Sequence, residues 1–204
     1  MRSAKERLLD QIRPHISDAR VMEAMAAVPR DAFVPPELVD EAWDNAPLPI
    51  GSGQTISQPL VVARMCQLLE LDGDERVLDV GTGSGYHAAL LAYLSRHVWS
   101  IERYPELTEQ ARRNLARAGV RNVTLIVGDG TRGLPEEAPF DAINVAAAAG
   151  AAVPHALEEQ LAVGGRLVVP VEDGDQRLFV VHRTHEGFVR TALERVRFVP
   201  LVGD

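Results

Sequence analysis

The sequence has one cysteine, Cys66, and few aromatic residues, which make up 5% of its 204 residues. A single cysteine forms no disulfide within the chain, so the composition favours a reducing compartment, and Cys66 itself is expected to be a small core residue. No apolar run approaches the roughly 20 residues of a membrane-spanning helix, and the N-terminal residues lack an apolar signal core. We therefore predict a cytoplasmic protein with no membrane partner.

Positive charge is also scarce. The 21 lysines and arginines are outnumbered by 29 acidic residues, which gives a net charge of −8. Proteins that bind phosphate backbones normally show the opposite balance, so nucleic-acid partners are disfavoured. His182 and His185 stand near a predicted turn with no cysteine or carboxylate at ligand spacing, so we predict no metal site. The length suits one α/β domain.

Arg76–Ala92 is the stretch around which the rest of the chain is organised. An apolar run, Val77–Val80, precedes three glycines at every second position, Gly81, Gly83 and Gly85, and an Ala/Leu-rich helical segment follows. A strand, a glycine-rich turn and a helix in this order open a βαβ nucleotide-binding unit, because glycine lets the backbone approach a ligand closely. A purely structural glycine turn is the alternative.

Two acidic residues follow the next two predicted strands. Glu102 ends the run His97–Ile101, at the position where an acid can accept hydrogen bonds from both ribose hydroxyls. Asp129 follows the run Val123–Val127, at the sheet edge where such folds bind ligands, and its oxygens suit an adenine amino group. Alternatively, Asp129 is a plain turn residue.

The glycine spacing argues against a dinucleotide cofactor. In a G-x-G-x-x-G motif the third glycine would stand where this chain has Tyr86. Asp79, one residue before the turn, would repel a pyrophosphate but suits a cationic ligand with an α-amino group. S-adenosylmethionine is such a ligand, with a sulfonium, an amine, a ribose and an adenine but no phosphate. We therefore predict a methyltransferase rather than a dehydrogenase.

The alternation of apolar runs with helix signals predicts a Rossmann-like α/β fold: a doubly wound, mostly parallel sheet with helices on both faces. The start of the chain predicts two helices, the first with a capping box at Ser3–Glu6. Further on, we expect a helix from Pro154 to Gly164 and a strand at Arg166–Val171. Gln176–Arg183 and Phe188–Val199 predict an antiparallel hairpin. We divide the single domain into an N-terminal extension (1–59), a cofactor-binding core (60–171) and the hairpin (172–204).

The segment before the core is rich in proline. Residues 29–49 predict an ordered strap with little regular structure, and Pro59 fits the first turn of a helix. Backbone N–H groups at that helix start, together with the Thr55 and Ser57 hydroxyls, would form a neutral cradle for a carboxylate. In the alternative interpretation, the two hydroxyls only cap the helix.

From Val28 onwards the sequence closely resembles the protein-L-isoaspartate (D-aspartate) O-methyltransferases, class I S-adenosylmethionine-dependent enzymes that begin the repair of isomerised aspartyl residues. The most specific match is Pro47–Pro59 (PLPIGSGQTISQP), followed by Leu78–Tyr86 (LDVGTGSGY). Shorter matches occur in family order at Val28–Arg30, Phe33–Pro35, Ser100–Arg103, Gly128–Gly130, Pro139–Ile143, Gln160–Leu161, Gly164–Arg166 and Phe198–Leu201.

The resemblance implies methyl transfer from S-adenosylmethionine to the α-carboxylate of isoaspartyl residues in proteins and peptides, by an enzyme that works as a monomer. Ser57 matches the family's active-site serine, with Thr55 and Gln54 beside it in the substrate cleft. The glycine loop would hold the methionine part of the cofactor, Glu102 the ribose and Asp129 the adenine. The complete predicted cofactor set is Asp79, Gly81, Thr82, Gly83, Ser84, Gly85, Glu102, Asp129 and Gly130.

Two stretches depart from the family pattern, the alanine-rich loop within Val145–Pro154 and the turn at Val171–Gly174. Both concern contacts at the rim and therefore peptide selectivity. One alternative function is a relative that methylates an ordinary aspartate in a dedicated peptide precursor of natural-product biosynthesis. Another is a non-catalytic module that senses the cofactor. An assay that compares an isoaspartyl peptide with its aspartyl twin discriminates among all three.

Overall fold

The computed structural model describes residues 2–203, and its N-terminal part forms two short helices, α1 (Ala4–Ile12) and α2 (Ala19–Ala27). Ser3 begins α1 with the predicted capping box: its hydroxyl accepts from Glu6 N, and the Glu6 carboxylate accepts from Ser3 N. Asp18 caps α2 by accepting from Arg20 N and Val21 N in the first turn of that helix.

The proline-rich segment contains two 3₁₀ turns, at Arg30–Phe33 and Pro36–Glu41, and then a hairpin of β1 (Leu48–Gly51) and β2 (Gln54–Ile56). The sequence-based interpretation expected no strands here. The hairpin forms because alternate side chains of β1 are buried, while Pro49, which cannot donate to a ladder, is tolerated in a two-stranded sheet.

The remaining helices are α3 (Pro59–Leu69), α4 (Tyr86–Leu94), α5 (Pro105–Arg117) and α6 (His155–Glu159). The strands of the central sheet are β3 (Arg76–Val80), β4 (His97–Glu102), β5 (Val123–Val127), β6 (Phe140–Val145), β7 (Leu161–Asp173), β8 (Asp175–Thr184) and β9 (Gly187–Arg195).

The seven strands are arranged in the order β5-β4-β3-β6-β7-β8-β9. The first five are parallel, and β8 and β9 extend the sheet as antiparallel neighbours. The chain passes from β3 outward to β5 and then crosses to β6 on the other side of β3. This reversal of strand order opens a crevice at the carboxyl ends of β3 and β6, where sheets of this kind bind ligands. The predicted sheet topology and C-terminal hairpin are confirmed.

Helices cover both faces of the sheet, as predicted. One face packs against residues of α1 to α5, with Leu90, Leu91 and Leu107 among the buried side chains. The other face packs against α6, through the buried Leu157, and against the irregular segments around it. Each face buries an apolar layer, as a sheet with near-continuous apolar strands requires.

The predicted helix from Pro154 to Gly164 is too long. Helix α6 ends at Glu159, and β7 begins at Leu161, five residues before the predicted strand. Leu157 and Leu161 have helical spacing and are both buried, but Leu161 pairs with Phe140 of β6 instead of continuing the helix. Gly165 allows this close approach, since a Cβ there would lie 2.8 Å from Asp141 O.

Candidate active site

A cleft lies at the carboxyl ends of β3 and β4. Parts of the chain that are distant in sequence line it: the glycine loop, the end of β4, the hairpin that precedes α3, the turn at Gly130, the alanine-rich loop after β6, and the C-terminal segment. The lining residues include Gln54, Thr55, Ser57, Gly81, Thr82, Gly83, Ser84, His87, Glu102, Gly130, Ala146 and Leu201. The cleft therefore brings together most of the residues predicted from the sequence.

The glycine loop has the backbone conformation that requires glycine. Gly81, Gly83 and Gly85 have φ values of +92°, +51° and +89°, which side-chain-bearing residues rarely adopt. Gly81 and Gly83 line the cleft. Gly85 instead contacts α5, because a Cβ there would lie 3.2 Å from Ala111 Cβ. Two of the three predicted glycines are thus available to a ligand, and the third allows two helices to pack closely.

Glu102 is fixed at the edge of this loop. Its carboxylate is largely buried and accepts hydrogen bonds from Gly83 N at 2.9 Å and Tyr104 N at 3.1 Å, one on each oxygen. A carboxylate has about four acceptor sites, so each oxygen keeps capacity for another donor. The side chain is therefore an oriented acceptor pair that suits two neighbouring hydroxyls.

Thr55 and Ser57 also line a second cleft. The two clefts share Thr55, Ser57, Ala146 and Val199, so the two hydroxyl-bearing residues lie where the clefts meet. The charged side chains that line the second cleft among the described residues are Arg195 and Arg197. A protein with net charge −8 thus has a locally positive groove next to two neutral hydroxyl donors.

Comparison with known families identifies the family of this chain. The family model described as Protein-L-isoaspartate(D-aspartate) O-methyltransferase (PCMT) matches residues 3–204. The chain belongs to the protein-L-isoaspartate O-methyltransferase family. A protein-L-isoaspartate O-methyltransferase of Methanothrix thermoacetophila is 54% identical over 202 residues, which cover 98% of this chain and 95% of that relative. Protein-L-isoaspartate O-methyltransferase 2 of Marinobacter nauticus is 57% identical over 192 residues, or 93% and 87% of the two chains.

Solved structures of the family have the same fold. One solved protein-L-isoaspartate O-methyltransferase superposes with a TM-score of 0.89 at 28% identity. The match covers 98% of this chain and 66% of the solved chain. A Plasmodium falciparum structure, described as a protein of this family in complex with S-adenosyl-L-homocysteine, has a TM-score of 0.87 at 27% identity over the full length of both chains. None of the relatives described here supports the alternative of a natural-product aspartate methyltransferase.

Asp79, predicted to contact the ligand directly, does not line the cleft. Its side chain is fully buried behind the glycine loop, where Oδ1 accepts from Asn144 Nδ2 and Oδ2 from Ser100 Oγ, both at 2.7 Å. Strand register produces this arrangement, because Asp79 of β3 lies between Ser100 of β4 and Asn144 of β6. Burial raises the pKa of Asp79 to about 6, against the lowering effect of both hydrogen bonds, and the nearby Glu102 raises it further. Asp79 therefore orders the strand ends from behind the loop.

Asp129 has the turn role that the sequence left open as an alternative. It caps the 3₁₀ turn Gly130–Arg132, with Oδ1 accepting from Thr131 N at 2.9 Å, and Oδ2 lies 3.5 Å from Arg132 Nε. Gly130 beside it lines the cleft, and a Cβ there would come 2.5 Å from Val80 Cγ1. A contact between Asp129 and adenine stays a prediction.

The predicted cradle of backbone amides at the start of α3 is largely closed. Pro59 has no N–H, and Leu60 N donates to Asn45 Oδ1 at 3.1 Å. The N-cap residue Gln58 makes no side-chain capping bond. Asn45 thus satisfies one amide of the first turn, and neither Thr55 nor Ser57 acts as the cap. The two hydroxyls therefore stay available as donors for a carboxylate at this point.

The C-terminal segment 199–202 belongs to the region 172–204, which the family resemblance implies covers peptide and cofactor, and it lines the cleft. It is held against the alanine-rich loop by hydrogen bonds from Ala148 N to Val199 O and from Leu201 N to Ala148 O. Sequence reasoning missed His87 with its neighbour Asn144. The available signal was position alone: His87 follows the glycine loop by two residues, and Asn144 stands one residue before the end of a buried strand.

The described residues contain no group of three or more histidine, cysteine, aspartate or glutamate side chains placed to hold a metal ion. Across residues 2–203, no helix is both long enough and apolar enough to span a bilayer.

Proposed function

We propose that the protein transfers the methyl group of S-adenosylmethionine to the α-carboxylate of L-isoaspartyl and D-aspartyl residues in damaged proteins and peptides, and so initiates their repair. The observation that carries the proposal is the junction of the two clefts at Thr55 and Ser57, in a chain that belongs to this family. One cleft suits the methyl donor, the other suits the peptide, and the hydroxyls lie between them.

The first cleft fits the cofactor chemically. Glu102 offers two oriented oxygens for ribose hydroxyls, and the loop Gly81–Ser84 presents backbone without bulky side chains. We propose that this loop holds the methionine part, Glu102 the ribose, and Gly130 with Asp129 the adenine end. Asp79 supports the loop from behind, since Ser100 Oγ joins its carboxylate to Thr82 Oγ1 through bonds of 2.7 and 2.6 Å. When bound, the cofactor supplies an electrophilic methyl group on a sulfonium.

The acceptor carboxylate needs no general base. An α-carboxyl group has a pKa near ~3.5 and is ionised at neutral pH. Thr55 and Ser57 would donate hydrogen bonds to its oxygens and orient one of them towards the methyl group, while Gln54 extends the contact with the peptide. Neutral donors orient the nucleophile and leave its charge intact. A salt-bridged arginine would neutralise that charge. Orientation and exclusion of water then supply most of the rate, and orientation alone can be worth about 7 kcal/mol.

Charge in the second cleft supports an anionic peptide substrate. Arg197 is exposed at its edge, and Arg195 is held by an ion pair with Asp175 at 2.7 Å. These cations would attract the acidic residue from solution, whereas the hydroxyls contact it at the reaction point. We further propose that the protein acts as a cytoplasmic monomer, without nucleic-acid or membrane partners, and that residues 1–59, 60–171 and 172–204 serve as substrate extension, cofactor core and covering hairpin.

An experiment with two peptides and two serine variants tests the proposal. The protein is expected to transfer labelled methyl groups to an isoaspartyl peptide as base-labile esters and to leave the aspartyl twin unlabelled. Ser57→Ala should lower kcat about ten-fold or more and change the affinity for S-adenosylhomocysteine little, because it removes a donor that orients the acceptor. Ser52→Ala is the matched control. Ser52 lies at the tip of the same hairpin, and its hydroxyl donates to the Glu106 carboxylate. Label on amine nitrogens, or equal labelling of both peptides, would contradict the proposed function.

A further inference from the structure

His87, which lines the first cleft, has a buried ring nitrogen without a hydrogen-bond partner. It is the second residue of α4, it is 6% exposed, and it lines the cleft. Its Nδ1 lies 3.2 Å from Asn144 Nδ2, whereas Nε2 is buried and has no hydrogen-bond partner. A buried polar atom without a partner is costly, so such an atom in a binding cleft points to a ligand group that satisfies it.

The surrounding hydrogen bonds determine which nitrogen carries the proton. Asn144 Nδ2 donates to Asp79 Oδ1 at 2.7 Å, and the reversed amide would bring an oxygen against that carboxylate. The NH₂ group of Asn144 therefore faces His87, and Nδ1 of the imidazole accepts. A neutral ring then carries its hydrogen on Nε2, and burial keeps the ring neutral by lowering the pKa of His87 to about 3.

A donor at this place selects among the groups of the cofactor. Helix α4 begins at Tyr86, whose N donates to Ser84 Oγ at 3.3 Å, and its N-cap Gly85 has no side chain, so the positive end of the helix dipole lies beside His87. The amine of S-adenosylmethionine is a donor and its sulfonium is a cation, so neither can accept from Nε2. The ribose hydroxyls have their acceptor in Glu102. The methionine carboxylate is the remaining anionic acceptor.

We propose that Nε2–H of His87 donates a hydrogen bond to the carboxylate of the methionine part of S-adenosylmethionine. This inference rests on the proposed function and adds the residue that reads the amino-acid end of the cofactor. In the chain Ser100–Asp79–Asn144–His87, each hydrogen bond fixes the next side chain. Asp79 therefore acts through Asn144 to hold the imidazole in its donor tautomer.

Calorimetry with three ligands tests the inference without any methyl transfer. S-adenosylhomocysteine has the complete amino-acid group, its decarboxylated analogue lacks the carboxylate alone, and 5′-methylthioadenosine lacks the whole group. For the unsubstituted protein, loss of the carboxylate is expected to weaken binding about ten-fold or more. His87→Leu should weaken S-adenosylhomocysteine by the same factor and leave the two truncated ligands within about two-fold.

His87→Gln is the second variant, because its amide can donate from a similar position and should retain most of the affinity for S-adenosylhomocysteine. The affinity for 5′-methylthioadenosine shows whether each variant keeps an intact cleft. An equal loss for all three ligands, or no loss for S-adenosylhomocysteine in His87→Leu, would overturn the inference and leave the proposed function standing. Failure of the unsubstituted protein to bind S-adenosylhomocysteine at all would overturn both. A ¹H–¹⁵N spectrum of the histidine rings should place the His87 proton on Nε2, and a proton on Nδ1 would also overturn the inference.

Discussion

Replacing the buried Asp79 by asparagine should make the stability of the protein less dependent on pH. Burial raises the pKa of this carboxyl from its ordinary 3.8 to about 6 in the folded chain. Between these two values the folded state binds the proton more tightly than the unfolded state, so stability falls as pH rises towards 6 and is level above about pH 7. A shift of about two units corresponds to roughly 3 kcal/mol, of which about 2 kcal/mol is lost between pH 4.5 and 7.5.

Urea unfolding of the protein and of Asp79→Asn at about pH 4.5, 6.0 and 7.5 measures this effect. The free energy of unfolding of the variant relative to the parent should rise by about 2 kcal/mol across that range. Any change in the hydrogen bonds to Ser100 and Asn144 shifts the difference equally at all three pH values and leaves its slope intact. Asp40→Asn is the control, because Asp40 is exposed. A pH-independent difference for Asp79→Asn would refute the reasoning that its burial is the dominant effect.

Three further predictions concern the cofactor cleft and the sheet. Glu102→Ala should weaken S-adenosylhomocysteine about ten-fold or more in calorimetry, because two ribose hydroxyls lose their acceptor, and unchanged affinity would contradict that role. Arg190→Met should lower the free energy of unfolding, measured by urea titration, by about 2 kcal/mol or more. The reason is that Glu158, which is 1% exposed, loses its bidentate partner. Arg195→Met is the control: it breaks an exposed ion pair and should cost less than about 1 kcal/mol. Gly130→Ala should destabilise the chain by about 1–3 kcal/mol, because the new Cβ meets a valine of β3 at 2.5 Å, and an unchanged unfolding midpoint would show that this valine yields freely.

The sequence predicted the sheet and the glycine loop well, because both rest on local signals. Continuous apolar runs identify buried parallel strands, and glycines at every second position identify the loop at Gly81–Gly85. The ends of β3 and β4 were predicted at the residues where the structure has them. The position of Glu102 at the cleft followed directly, since the carboxyl ends of parallel strands meet at one edge of the sheet.

Contacts between strands were not predictable in the same way. Asp79 stands at the expected distance from the loop, but its partners come from β4 and β6, so its orientation depends on strand register. His87 gained its role through Asn144, which lies 57 positions further along the chain. The hairpin of β1 and β2 escaped prediction because proline and glycine signals outweighed a short apolar alternation.

Ile50 of β1 packs against the glycine loop and so brings the two halves of the site, the hairpin and the loop, into direct contact. Its Cδ1 atom lies 3.3 Å from the point that a Cβ on Gly83 would occupy, so the hairpin that carries Thr55 and Ser57 rests on the loop proposed to hold the methyl donor. Movement of that loop on binding would therefore act on the hairpin at this contact. Where donor and peptide are coupled through it, thermodynamic reciprocity requires that each changes the affinity for the other by an equal factor.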